Sequence, residues 1–182
     1  MQRTRCPLSD IFGLTMTETE EIAMIADLER RVLKLEAAAD IRHLKRVYAT
    51  ACDNGYLPDV IAPMFTEDAV WDGGGEWGRH EGREAIHRFF SQVTGGIAYA
   101  THFMIGGDIE VADDVQTASG TWQLWQPLSV MSEGELRSAV MAGTYSDTYR
   151  FTDEGWKFSS LKVDWDMQAR LDKGWATDQF QM

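Results

Sequence analysis

The sequence predicts an α+β fold in a single domain, with helices packed on one face of a long, curved, antiparallel or mixed sheet. Two observations carry this. Helical periodicity dominates up to about residue 93, and strand-like runs joined by short polar turns fill nearly everything after it. At 182 residues, 44% hydrophobic and 25% charged, the chain has the size and composition of one globular domain with an ordinary core.

Residues 1–20 mix Pro7, Gly13 and several Thr and Glu without a period, and read as a loosely attached arm ahead of a domain spanning 21–182. From Glu21 to Cys52 the text is helical. Leu28, Val32 and Leu35, then Ile41, Leu44, Tyr48 and Ala51, fall at helical spacing with no Gly or Pro among them. The Ala37-Ala38-Ala39 patch predicts a bend or a break between two helices. "DNGYLPD", from Asp53, is the stop signal. A short helical piece from Leu57 to Met64 leads to a strand at Ala69–Trp71 that ends in the Gly73–Gly75 turn. A further helix starts after Gly82, with Ala85, Ile86, Phe89, Phe90 and Val93 as its apolar side. The strand runs are Ala98–Val111, Val115–Val130, Leu136–Phe151 and Gly155–Trp165, separated by "ADD", "SEGE" and "TDEG".

The concave side of such a sheet is either filled by a helix or open as a pocket. Trp71, Trp122, Trp125, Trp156 and Trp165 are the candidates to line it, against the plainer reading that each is core. An apolar cavity with a few polar groups would suit a small hydrophobic or aromatic ligand.

Charge and cysteine usage exclude several classes. A net charge of −12, with no basic stripe interleaved with aromatics, argues against a nucleic-acid partner. No run approaches the roughly 18 apolar residues of a membrane span, so no membrane partner is expected. Cys6 and Cys52 form no paired or metal-spaced set, which fits a reducing compartment, and with no apolar run after Arg3 and Arg5 a cytoplasmic location is expected.

Of the four histidines, His43 and His80 read as solvated. His87 follows Glu84 at i+3, half of a carboxylate-bridged metal motif, but no second Glu-x-x-His exists. His102 differs, because "AYATHFMIGGDIEV" sets it among apolar and small residues of a strand. A buried histidine must be hydrogen-bonded, so a structural role competes with a catalytic one. Nothing has the ligand spacing of a zinc site, and nucleophile elbows, phosphate loops and dinucleotide fingerprints are missing. Acid–base chemistry by a few side chains, without metal or cofactor, is what remains.

The order of "YATACDNG", "MFTEDAVWD", "GREAI", "ATHFMIGGDIEV", "ASGTWQLW" and "GTYSDTYRFTDEGWKFSSLKVDW" resembles the SnoaL-like branch of the nuclear transport factor 2-like superfamily, over roughly Leu28 to Trp165. Within it the pattern is similar to the cofactor-independent dehydratases and dehydrohalogenases. The resemblance implies a cone-shaped α+β barrel with an apolar mouth, packed as a homodimer or homotrimer. It also implies a dyad in which Asp53 hydrogen-bonds His102 and His102 takes a proton from carbon. Tyr48 matches a pocket position. Gln126 and Trp165 stand where a relative has Asp and Arg, and Arg150, on the neighbouring strand, is the candidate to replace that positive group.

The dyad has its own physical logic. An imidazole of ordinary pKa, near 6.5, is a suitable base around neutrality. A carboxylate on its other nitrogen fixes the tautomer and stabilises the imidazolium formed. Tyr48 would then hydrogen-bond a carbonyl or protonate a leaving hydroxyl. An ideal helix rotates Asp53 by about 140° from Tyr48, at roughly 100° per residue, so sharing one pocket requires the helix to end or tighten near Cys52. The reading is a cofactor-free lyase for a small hydrophobic cyclic substrate, using His102, Asp53 and Tyr48, with Trp71, Trp122, Gln126, Arg150 and Trp165 binding substrate. An isomerase or cyclase on the same fold, and a non-catalytic ligand-binding or assembly module, are its alternatives.

Overall fold

The computed structural model describes residues 17–93, 95–132, 134–176 and 179–181. Most of the expected arm, residues 1–16, lies outside the described residues. Helix α1 (Glu18–Asp53) begins within the rest of it, capped by a reciprocal box in which Thr17 Oγ1 accepts from the Glu20 N–H and Glu20 accepts from the Thr17 N–H. The helix is unbroken through Ala37–Ala39, contrary to expectation. Ala37 and Ala38 are buried because this is where α1 first meets the sheet, and small side chains allow the close approach.

Short helix α2 (Pro58–Ile61), with Pro at its first position, and a 3-10 turn (Ala62–Met64) lead into β1 (Phe65–Gly74). A 3-10 turn at Gly75–Trp77 and β2 (Gly78–Glu81) precede α3 (Arg83–Val93). Then follow β3 (Ile97–Ala100), β4 (Phe103–Val111), β5 (Thr117–Ser132), β6 (Glu135–Thr152), β7 (Gly155–Arg170) and β8 (Phe180–Gln181). One mixed sheet runs β2-β1-β7-β6-β5-β3, with β4 also on β5 and β8 on β7. β1 and β8 pair with β7 in parallel, and the other pairs are antiparallel.

Alternation along the long strands sets which side chains meet the helices. In β5, Ala118, Gly120, Trp122, Leu124, Gln126 and Leu128 point inward. The core between α1, α3 and the sheet is strongly aromatic, with Tyr48 meeting Phe158, Phe65 and Phe90 edge-on at 5.5–6.3 Å between ring centres. Gly107 makes this packing possible: its φ is +103°, and a Cβ there would lie 2.5 Å from the buried Trp122 ring.

Candidate functional site

The expected strand Ala98–Val111 is interrupted at Thr101 and His102, and Pro127 explains why. β3 and β4 pair with β5 on one continuing register, Ala100 with Leu128 and Phe103 with Trp125, which places Thr101 opposite Pro127. The Thr101 N–H donates to the Pro127 carbonyl at 3.1 Å, but Pro127 has no N–H to return. The His102 N–H points away from β5 and donates to Asp53 Oδ1 at 2.8 Å. The same oxygen lies 2.7 Å from His102 Nδ1. A carboxylate only accepts, so Nδ1 carries the proton and Nε2 is the free ring nitrogen. One carboxylate oxygen therefore fixes both the backbone and the ring of His102, whose side chain is 4% exposed against 29% for Asp53.

α1 stays helical through Asp53 rather than tightening before it, and Asn54 caps it by donating to the Thr50 and Cys52 carbonyls. The rotation between Tyr48 and Asp53 is accommodated differently. Tyr48 faces the inside of the sheet, Asp53 reaches the β3–β4 junction, and only Tyr48 and His102 line the cavity. Asp53 stands behind the imidazole.

That cavity is bounded by Tyr48, Tyr56, Trp71, Trp77, Phe89 and Trp165, among others, with Gln126 and His102 as polar members. Its free space, counted to the mouth, is about 400 Å³, but the part wide enough for a water molecule is only about 40 Å³. The Trp71 indole donates to the Tyr48 hydroxyl at 3.1 Å, and the Trp165 indole donates to the Gly73 carbonyl at 2.7 Å. Tyr48 also shares a hydrogen bond with the Cys52 thiol, and burial pushes both groups well above their ordinary pKa values.

Tyr56 was not foreseen. It has φ +57°, rare outside glycine, and follows Gly55 at +95°, so the chain reverses sharply out of α1. This turn sets the Tyr56 ring edge-on to His102, 5.7 Å between centres, and lets its oxygen accept from Gln126 Nε2 at 3.1 Å. No acceptor for its own proton is present among the described residues. Burial raises its pKa above the usual phenol value, so it is a neutral hydrogen-bond donor at physiological pH.

The expected substrate-binding residues divide. Trp71, Gln126 and Trp165 line the cavity, while Trp122 and Arg150 do not. Trp122 points inward but toward the other end of the sheet, where its indole donates to Tyr149 at 3.1 Å. Arg150 sits one residue beyond the buried Tyr149 in β6, so alternation turns it outward into a two-pronged pair with Asp68 at 3.1–3.2 Å. Trp125 is on the outer face, edge-on to Trp175, and Trp156 packs against Phe151. His80, expected to be solvated, stacks on Phe89 at 4.2 Å and bonds the Trp77 carbonyl. His87 pairs with Asp59 at 2.8 Å, and among the described residues no group of three His, Cys, Asp or Glu side chains is placed to share a metal ion.

Below the cavity floor lies a second unforeseen feature. Lys45 Nζ and Asp147 Oδ2 are 2.7 Å apart with both side chains fully buried, and the ammonium lies 3.6 Å from the centre of the Tyr145 ring. Asp147 Oδ2 also accepts from Tyr149 at 2.8 Å, whereas its Oδ1 has no hydrogen-bond partner among the described residues. Burial lowers the Lys45 pKa and raises that of Asp147, so desolvation outweighs the pairing at both groups.

Similar structures carry varied chemistry. A Novosphingobium aromaticivorans protein provisionally assigned as an aromatic ring hydroxylase is 25% identical, over 76% of this chain and 96% of that one, with a TM-score of 0.68. The hexachlorocyclohexane dehydrochlorinase LinA-type3 of Novosphingobium barchaimii is 20% identical over 84% and 99%, with a TM-score of 0.68. A provisionally assigned scytalone dehydratase of Novosphingobium aromaticivorans is 19% identical over 78% and 90%, with a TM-score of 0.65. No curated protein matches the sequence. The model of the SnoaL-like domain matches residues 33–162, from the second half of α1 into β7, and the chain belongs to that family.

Proposed function

We propose that the protein is a cofactor-independent lyase that eliminates water or a hydrogen halide from a small hydrophobic cyclic substrate. The observation that carries this is the 2.7 Å contact between Asp53 Oδ1 and His102 Nδ1 at the wall of a narrow aromatic cavity. His102 Nε2 takes a proton from a carbon of the substrate, the C–H electron pair forms the new double bond, and the leaving group departs from the neighbouring carbon. Asp53 holds the Nδ1–H tautomer and balances the imidazolium charge. Tyr48 and Tyr56 grip the oxygen or halogen. Tyr56 is the better proton donor, since Trp71 and Cys52 already engage the Tyr48 hydroxyl. Trp71, Trp77, Phe89 and Trp165 supply the apolar walls that exclude water.

The dehydrochlorinase and dehydratase names among the similar structures favour elimination over proton shuttling alone. The test is a panel of cyclic hydroxyketones and halogenated rings followed by product mass. A loss of water or HX that disappears in His102→Ala and Asp53→Asn is expected. Full turnover by His102→Ala refutes the proposal, and product of unchanged mass makes the enzyme an isomerase instead.

A further inference from the structure

The first half of α1 projects beyond the sheet. From Glu18 to Glu36, about 28 Å of helix, every residue except Asp27 and Lys34 is exposed. Lys34 ties it to Asp113 in the β4–β5 turn at 2.6 Å. Helices in proteins owe most of their stability to packing of an apolar face, yet this half carries Ile25, Leu28, Val32 and Leu35 at 46–71% exposure. Their spacing of three, four and three residues makes one stripe. At roughly 100° per residue that stripe is centred about 140° around the helix from the Ala38–Ile41–Lys45–Tyr48 face that packs on the sheet, so a second helix along it clears the domain.

We propose that this stripe is the seam of a parallel two-stranded coiled coil between two copies of the chain. In heptad terms Ile25 and Val32 take the a positions and Leu28 and Leu35 the d positions, and a β-branched residue at a with Leu at d favours two parallel strands. The flanking charges fit the same register. Arg31 at g faces the partner's Glu36 at e, and the symmetric pair repeats it. Glu36 has no ion-pair partner in its own chain among the described residues, and Arg31 has only Asp27 at 3.8 Å. An antiparallel pair would instead set Arg31 against Arg31, so the charges choose the parallel arrangement. Nothing in this inference depends on the proposed chemistry, because the arm lies outside the cavity.

The test uses the full chain carrying Cys6→Ser, so that buried Cys52 is the one remaining native thiol. Leu28→Cys puts a thiol in the seam and Arg30→Cys puts one on the opposite side of the same turn. Under mild oxidation Leu28→Cys is expected to run as a covalent dimer on a non-reducing gel while Arg30→Cys stays monomeric. Adding Arg31→Glu should cut the Leu28→Cys dimer yield several-fold, and Arg31→Glu with Glu36→Arg should restore it. Circular dichroism of the reduced variants confirms that the helix is kept. A monomeric Leu28→Cys overturns the proposal, as it would if residues 1–16 of the same chain covered the stripe. Equal cross-linking at both positions, or a seam dimer indifferent to Arg31→Glu, overturns it too.

Discussion

Replacing Lys45 by Met tests how the buried ion pair under the cavity is held. The substitution keeps the volume and removes the cation 2.7 Å from Asp147, whose Oδ1 already lacks a hydrogen-bond partner among the described residues. Leaving one member of a buried pair behind costs about 3–5 kcal/mol, a large share of the roughly 5–15 kcal/mol that holds a domain folded. Burial pushes the Lys45 pKa down and the Asp147 pKa up, so the intact pair is itself no bargain against apolar packing. Lys45→Met with Asp147→Leu is therefore expected to recover most of the loss. It should fall within about 2 kcal/mol of the parent, the remainder being the Tyr149 hydroxyl that loses its acceptor. Urea unfolding followed by circular dichroism gives both numbers from the midpoint and slope. Acidity provides an independent check. In Lys45→Met the native state binds a proton at Asp147 more tightly than the unfolded chain does, so stability is lost as pH rises through the native pKa. The deficit of this variant should accordingly shrink as pH falls from about 7 toward about 4. A single substitution costing under about 1 kcal/mol, or a double variant as unstable as the single one, refutes the reasoning.

Asp53→Asn keeps an oxygen that can accept both His102 donors but removes the charge facing the imidazolium. With charges about 4 Å apart at an effective dielectric near 20, that is worth up to about 4 kcal/mol, so kcat should fall by as much as about 10³-fold with little change in unfolding midpoint. Tyr56→Phe should lower kcat more than Tyr48→Phe, and equal or reversed effects in steady-state kinetics would move the donor role back to Tyr48. Gly107→Ala, strained by φ +103° and set against the hydrogen-bonded Trp122 ring, should destabilise by about 1–3 kcal/mol in calorimetry.

The layering of helices on a long sheet was legible because β5, β6 and β7 alternate so regularly. Asp53 and His102 were legible through the family pattern, whereas spacing alone set Asp53 on the wrong side of α1 to share a cavity with Tyr48. The two facts are compatible because Asp53 meets His102 from behind the ring, outside the cavity that Tyr48 lines. Lys45 was missed because a lysine on an amphipathic helix normally faces water, although it falls between Ile41 and Tyr48 on the buried side. Tyr56 was hidden by the Asn54-Gly55 turn, since nothing local predicts a tyrosine at positive φ. Arg150 was misplaced by a parity of one, which in a strand is the whole difference between the two faces. The alanines at 37–39 read as a weak point in the helix, but they are where it docks.

The narrowness of the cavity has a kinetic consequence. A gap with about 40 Å³ of water-width space cannot receive a six-membered ring until its aromatic walls part. Entry is then gated by side-chain rearrangement, and association should be slower than the 10⁵–10⁷ M⁻¹s⁻¹ usual for preformed protein sites. It should also level off with ligand concentration at the rate of opening. Trp71, Trp77 and Trp165 line the slot, so stopped-flow tryptophan fluorescence would report its opening from within, with no label added.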